Sequence, residues 1–313
     1  MSASQRSLRN PFAGLPLVRF GEQREQFDPS GFGGELRILN ALPDGRIQTQ
    51  SESPQLAWAD PSEAADRVLL GHYQGILYAV QWRQPQPQGP LPPAQPPYPD
   101  LRMHAQLLDD FEAGLAAYAR AMVIWHQRHR HCGLCGASTT SEAHGHRRRC
   151  SNADCATEHF PRVDPAIIVA VSCGERLLLA RQASWPERRY SVLAGFVEPG
   201  ESLEDCVVRE VFEESGVVVR ECDYHSSQPW PFPSGLMLGF TAQTDREDLT
   251  LDDELEHALW LDPEELVAAI AAGRLRPPSG FSISRRLVED WYLERRGQSL
   301  SAAVAASRAA EPD

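Results

Sequence analysis

Nowhere does this chain hold an apolar run of about 18 residues or more, which excludes a helical membrane span. The opening segment MSASQRSLRNPFAGLPLVRF likewise lacks the continuous apolar stretch of a secretory signal. Basic charge is scarce: 30 Lys and Arg stand against 43 Asp and Glu, a formal net charge of −13 with a pI near 5.3. So acidic a surface does not suit a general nucleic-acid coat, whose affinity comes from displacing counterions from phosphate. A phosphate ligand could still be held by a local basic patch or through a metal ion. A disulfide framework is missing too. Seven cysteines is an odd number, and four of them fall in two close pairs, which suits a metal site in a reducing compartment. The expectation is a cytoplasmic protein. No internal repeat is present.

What is present is 313 residues, 42% hydrophobic and 23% charged, enough for two ordinary globular domains or one large one. Val68–Gly71 and Gly75–Val80 read as two strands. Half of residues 84–99 are proline, which removes the backbone donor and fixes φ, so this stretch reads as an extended surface linker. Leu108, Phe111, Leu115, Tyr118, Met122 and Trp125 then recur at steps of three and four, one apolar stripe on a long core-packing helix. Further on, strands are expected at Ala166–Ser172, Leu177–Ala180, Val217–Cys222 and Leu236–Thr244. Helices are expected at 202–215, 263–272 and 282–295. This alternation, without the regular repeat of a barrel, implies an α/β domain on a mixed sheet. The boundaries read as an N-terminal α+β domain over 1–125, a zinc ribbon over 126–160, a larger domain over 161–296 and a flexible tail over 297–313.

Cys132-Gly-Leu-Cys135 and Cys150-Ser-Asn-Ala-Asp-Cys155 form two knuckles that can close a tetrahedron around Zn²⁺. With Cys132, Cys135, Cys150 and Cys155 filling every position, the zinc would be structural. His144 and His146 could substitute as ligands, but the quartet is complete without them. His144-Gly-His-Arg-Arg-Arg149 supplies a basic tip between the knuckles, read either as a solvated loop or as an RNA contact. Cys173, Cys206 and Cys222 read as small core residues.

The most informative stretch is Gly195-Phe-Val-Glu-Pro-Gly-Glu201 and the helix after it. Glu210, Glu213 and Glu214 stand at i, i+3 and i+4, so their carboxylates share one face. Three like charges weaken a helix unless a cation sits among them, and hard oxygen donors suit Mg²⁺ or Mn²⁺. The opposite face, Leu203, Val207 and Val211 with the neighbouring Phe212, is expected to pack on a sheet. Ser202 with Asp205 three residues on reads as an N-cap arrangement.

From Gly195 the order is glycine, five residues, Glu201, seven residues, then Arg209-Glu-Val-Phe-Glu-Glu-Ser-Gly-Val217. The chain therefore resembles the Nudix hydrolases, whose box it matches in full. The resemblance implies an α/β/α sandwich and hydrolysis of a nucleoside diphosphate linked to another group. It implies that Glu210, Glu213 and Glu214 bind the catalytic metals and that one of them acts as base toward water. It also implies that Glu201 and Arg209 brace the loop as an ion pair, and that the Ala194 carbonyl completes the coordination.

Ser227-Gln228-Pro229-Trp230-Pro231-Phe232-Pro233-Ser234 narrows the substrate. Alternating prolines and aromatics make a rigid platform on which a nucleobase can stack at low ordering cost. The array resembles that of the NADH pyrophosphatase branch, with Gly235 where the branch has a final serine. The zinc quartet and a small N-terminal domain also resemble that branch, over roughly residues 68–291. The resemblance further implies a metal ligand at Glu254 and substrate contacts at Arg102, Phe160, Phe196 and Ser284. It implies a homodimer that splits NADH or NAD into NMN and AMP, and that removes NAD from RNA 5′ ends to leave a monophosphate. Two rivals stand beside this reading. One is a Nudix hydrolase of another dinucleotide such as ADP-ribose; the other is a non-catalytic zinc-ribbon protein that senses NAD.

Overall fold

The computed structural model describes residues 1–62, 65–83 and 97–310. Two units cut across the order of the chain. One holds residues 14–163 with 230–235, and the other holds residues 1–13, 164–229 and those from 236 onward. These limits differ from the linear boundaries expected at 125, 160 and 296. The first thirteen residues, with helix α1 (Ala3–Ser7), join the second unit through side-chain contacts that no local pattern announces.

In the first unit, strands β1 (Glu35–Ala41), β2 (Trp58–Ala59), β3 (Asp66–Tyr73) and β4 (Ile76–Trp82) form a sheet in the order β2-β1-β4-β3. β4 runs parallel to β1 and antiparallel to β3, so the sheet is mixed. β4 is buried from Leu77 to Trp82, as a strand paired on both sides requires. After α2 (Leu101–His104) comes α3 (Asp110–Arg128), whose N-cap Asp109 accepts the Glu112 N–H at 2.8 Å. Of the expected stripe, Leu115, Met122 and Trp125 are buried and Phe111 and Tyr118 half-buried, while Leu108 lies just ahead of the helix. Residues 84–96 of the expected linker lie outside the described residues. The Pro97 carbonyl accepts from both the N–H and the hydroxyl of Thr49, so that end is tied down. Strands β5 (Thr139–Glu142), β6 (Arg147–Cys150) and β7 (Glu158–His159) make the antiparallel ribbon.

The second unit is a sandwich. Its strands are β8 (Asp164–Cys173), β9 (Arg176–Arg181), β10 (Leu193–Phe196), β11 (Glu221–Trp230), β12 (Gly235–Thr244) and β13 (His257–Leu261). They lie in the order β11-β12-β8-β9-β13, with β10 paired to β8. Side chains of a strand alternate between faces, and both faces here are apolar. Ile167, Val169 and Val171 of β8 pack with Cys206, Val207 and Val211 of helix α4 (Leu203–Ser215). Ile168 and Ala170 face the other way, with Leu266, Leu287 and Leu300 of α5 (Pro263–Ala271), α6 (Ile283–Arg296) and α7 (Leu300–Ala310). Burying each such side chain contributes roughly 1.5–3 kcal/mol.

Three expectations are corrected here. Residues 300–310 are helical, with Leu300, Ala303 and Val304 buried on the α5–α6 layer, where a flexible tail was expected. Alanine favours helix, and three apolar contacts suffice to dock it. The strand expected at Val217–Cys222 starts only at Glu221 and runs on to Trp230, so the first half of the proline-aromatic array is strand. Phe212 is 55% exposed and does not pack on the sheet, because α4 has room for one buried stripe, which Val207 and Val211 fill.

Candidate active site

Helix α4 starts with a capping box: the Ser202 hydroxyl accepts the Asp205 N–H at 3.1 Å, and the Asp205 carboxylate accepts the Ser202 N–H at 3.0 Å. It ends at Gly216, whose φ of 72° suits glycine. The loop that precedes it is pinned by one guanidinium. Arg209 donates through Nε and Nη2 to the two oxygens of Glu201, at 3.0 and 2.6 Å, and through Nη2 to the Phe196 carbonyl at 3.0 Å. The Glu198 N–H donates to Glu201 at 2.7 Å. Hydrogen bonds from Arg209 in the first place hold the Glu201 carboxyl down to about 2. The ion pair implied by the resemblance is thus present, and it closes the loop onto the helix.

The same guanidinium turns its Nη1 to Glu210 at 2.9 Å and to Glu213 at 3.0 Å. Glu210 lies against the β10 backbone so closely that a Cβ on Gly195 would stand 1.8 Å from its carboxyl carbon. Glycine at 195 therefore makes the space for Glu210, next to the half-buried Ala194. Glu214 is buried, and burial, then Glu254, Glu210 and Asp252, push its carboxyl up to about 8. Burial likewise raises Glu210, helped by Glu213 and Glu254. Glu254 is exposed; it accepts from Gln182 at 2.6 Å, and its own N–H donates to Asp252 at 3.0 Å. The loop bearing it is tied to the end of α4 by Thr250 N–H to the Ser215 carbonyl at 2.9 Å. Glu210, Glu213, Glu214 and Glu254 so present hard oxygen donors from one helix and one loop, whose mutual repulsion a divalent cation would relieve. That donor set fits a divalent metal. Gln182 and Asp252 were not singled out from sequence. Gln182 belongs to no motif, whereas the acidic run at 252–254 was a signal for Asp252.

Among the described residues, the tightest donor group is the cysteine quartet, whose Sγ atoms all lie within 4.8 Å of one another. A tetrahedral zinc with bonds of about 2.3 Å needs sulfur separations of roughly 3.8 Å. Cys132–Cys155 at 3.8 Å and Cys135–Cys150 at 3.4 Å fit that closely. His144 and His146 are not alternative ligands. His144 Nε2 meets the Phe27 carbonyl at 2.8 Å, and the buried His146 Nε2 donates to the Leu69 carbonyl at 2.7 Å. The expected basic tip is neutralised: Arg147 pairs with Glu25, Glu142 and Glu158, and Arg149 with Glu142 and Glu158. Arg148 turns inward, donating to His126 Nδ1 at 2.8 Å and to the Thr139 hydroxyl and carbonyl, each at 2.7 Å. Glu142 and Glu158 on the neighbouring strands, with Glu25 from far earlier in the chain, thus offset the positive charge of this tip.

The proline-aromatic array divides by role. Trp230 and Phe232 meet edge to face with centroids 5.2 Å apart, and Arg102 lies over the Phe232 ring at 4.7 Å. Arg120, not foreseen from sequence, covers the same ring at 5.3 Å and donates to the Pro231 carbonyl at 3.0 Å. Gly235 has the Trp230 carbonyl 3.2 Å from where a Cβ would stand, so a serine there would be tight. Gln228 is fully buried: its amide accepts the Ile283 N–H at 2.7 Å and donates to the carbonyls of Phe281 at 2.9 Å and Pro11 at 3.3 Å. All of these bonds are to the protein's own backbone. Ser284 is also buried, with its hydroxyl on Ser191 at 2.7 Å. Phe160 and Phe196 are 60% and 65% exposed, available to a stacking partner.

Residues 161–279 match the model of the NUDIX domain. The NAD-capped RNA hydrolase NudC of Mycobacterium bovis (strain BCG / Pasteur 1173P2) is 42% identical over 250 residues, 76% of this chain and 78% of its own. Its namesake in Mycobacterium tuberculosis (strain ATCC 25618 / H37Rv) is 41% identical over the same share. The NAD-capped RNA hydrolase NUDT12 of Homo sapiens is 39% identical over 209 residues, 63% of this chain and 44% of that protein.

Proposed function

The chain belongs to the Nudix hydrolases, in the branch that holds the NAD-capped RNA hydrolases, and from that premise we propose that it cleaves the pyrophosphate of NADH and NAD. The products are NMN, reduced or oxidised, and AMP. The same cut on an RNA that begins with NAD leaves a 5′-monophosphate end. One observation carries the reading: the Arg209-braced glutamates of α4 and the Trp230–Phe232 pair with its covering arginines occur in one chain.

Glu210, Glu213, Glu214, Glu254 and the Ala194 carbonyl would hold Mg²⁺ or Mn²⁺, which when bound neutralises phosphate charge and acidifies water. The chain's own part is positioning. Gly195 leaves room for Glu210, and Arg209 fixes the loop to the helix. Burial and the neighbouring carboxylates raise Glu214 in the metal-free chain, so a bound cation would favour its ionised form. Phe232, stiffened between prolines and backed by Arg102, offers a ring face to a base, and Phe160 and Phe196 offer others. Zinc in the cysteine quartet would be structural, since protein sulfur fills all four positions. The reading includes a homodimer in the cytoplasm, where the free thiols stay reduced. No helix among the described residues is long and apolar enough to cross a membrane.

The test is AMP release from NADH with Mg²⁺ or Mn²⁺, with NAD-capped RNA and ADP-ribose in parallel and Glu213→Gln as control. AMP and reduced NMN, falling at least about a hundredfold in the variant, is the expected result. Preference for ADP-ribose would move the chain to another dinucleotide. Binding of NADH without turnover of any substrate would make it a sensor.

A further inference from the structure

A cleft of about 480 Å³ opens in the sandwich unit between Arg181, Trp185, Arg188, Tyr190, Glu256 and Arg274. We propose that it takes the phosphates of an RNA strand that continues beyond the adenosine of the cap; this rests on the capped-RNA part of the function above. Three observations support it.

The first is charge. A parallel bridge joins Arg189 to Arg276, the Arg276 N–H donates to the Arg188 carbonyl at 2.6 Å, and the Tyr190 N–H donates to the Arg276 carbonyl at 3.1 Å. This stitching gathers Arg188, Arg189, Arg274 and Arg276, all exposed, on one rim. Among the described residues none of the four pairs with a carboxylate; Arg188 donates only to the Gly273 carbonyl, at 3.2 Å. The ribbon-tip arginines Arg147 and Arg149, by contrast, each meet more than one carboxylate. The acids of the cleft are Glu256, already paired with Arg181, and Glu187. Arg188 and Arg274, neither paired with a carboxylate, line the cleft against one unpaired acid, Glu187, which leaves its surface open for an anion.

The second is chemistry. The chain has no lysine, so every permanently cationic side chain is arginine, whose planar fork engages phosphate oxygens two at a time. Trp185 and Tyr190 bring aromatic faces to the same cleft, and the Tyr190 hydroxyl is held by His257 Nδ1 at 3.0 Å. Cations that track a backbone, with rings for bases, are the pattern of single-strand binding.

The third is placement. Gln182 holds Glu254 at 2.6 Å while its neighbour Arg181 pairs with Glu256. Arg181 and Glu256, which line the cleft, thus lie one and two residues from Gln182 and from Glu254, a proposed metal ligand. Arg188 is held at a φ of 63°, a left-handed conformation costly for arginine, and its ordered backbone bonds keep it there.

The experiment compares the wild type with the Arg188→Ala/Arg274→Ala double variant. It measures kcat/KM for NADH and for a 12-nucleotide NAD-capped RNA at several salt concentrations, and the binding of the 5′-monophosphate RNA by fluorescence anisotropy. Each lost phosphate contact on a single strand lowers the slope of log affinity against log salt by about 0.7, or roughly fivefold in affinity at 0.1 M salt. The expected result is a loss of about 25-fold on capped RNA with NADH turnover unchanged, and partial recovery in Arg188→Lys/Arg274→Lys, which restores the charge without the fork. Equal turnover of capped RNA by wild type and variant, with the same salt slope, overturns the proposal. So does a parallel fall on both substrates, which would mark a structural effect. The anisotropy arm separates the two readings. Should the wild type turn over neither substrate, the function above fails, and RNA affinity that still depends on Arg188 and Arg274 upholds the cleft.

Discussion

At the scale of single residues, two neighbours of the glutamate cluster carry the sharpest expectations. Gly195→Ala places a methyl 1.8 Å from the Glu210 carboxyl carbon, so the carboxylate must leave its place while the core beneath is untouched. Displacement of about 1 Å at reacting groups can cost a hundredfold. NADH turnover should fall by about that factor with an unchanged melting temperature. Arg209→Lys keeps the charge but loses the fork that reaches Glu201, Glu210, Glu213 and the Phe196 carbonyl together. Turnover should drop and metal dependence shift to higher concentrations, which a metal titration reads directly. Two histidines give a pH expectation. Burial lowers His126 and His146 from 6.5 to about 4, and each donates Nε2–H to a carbonyl, of Gly145 and Leu69. The unfolded chain takes up these protons near pH 6.5 and the folded one only near 4, so stability falls as pH drops through that window and levels off below it. The loss is on the order of 3 kcal/mol for each. Urea midpoints between pH 7 and 4 measure it, and His146→Gln, which can keep the donor to Leu69, should flatten the curve.

At the scale of elements, α7 and the N-terminal arm both owe their order to what they touch. Leu300 is fully buried against the α5–α6 layer, so Leu300→Ala should cost about 2–5 kcal/mol in chemical unfolding. A flexible tail would show no change. The arm lies along β11, which ends its sheet. Ser7 Oγ accepts the Ser227 N–H at 3.0 Å, Asn10 donates to the Ser227 carbonyl at 2.8 Å, and Arg6 donates to the His225 carbonyl at 3.0 Å. These bonds satisfy polar groups that an open sheet edge would offer to another chain. Arg9 also reaches both oxygens of the buried Asp290, at 3.0 and 3.2 Å. Arg9→Ala should therefore destabilise by about 1–3 kcal/mol, and removal of residues 1–12 should promote association, read by light scattering.

At the scale of the whole molecule, two units share the chain out of order, and each gathers its own class of donor atoms. In the ribbon unit, soft sulfur donors close a tetrahedron; in the sandwich unit, hard carboxylate oxygens line one helix face. Metal analysis of the purified protein should return one zinc per chain. Its removal by a strong chelator should expose four thiols to titration and loosen β5–β7.

How much of this was legible beforehand depended on whether the information was local. The carboxylate spacing, the cysteine knuckles, the capping box at Ser202 and the apolar stripe of α3 are set by helix and turn periodicity, so the sequence by itself determined them. The same holds for the Nudix box, a pattern within 23 consecutive residues. What only the tertiary structure decided were pairings across long separations. Glu25 reaches Arg147 of the arginine tip, Gln228 is spent on Pro11, Phe281 and Ile283, and the tail finds a layer to dock on. The same applies to the arginine rim, because Arg189 meets Arg276 only through a strand-like bridge 87 residues apart. Periodicity tells which side chains share a face; only folding tells what stands opposite that face.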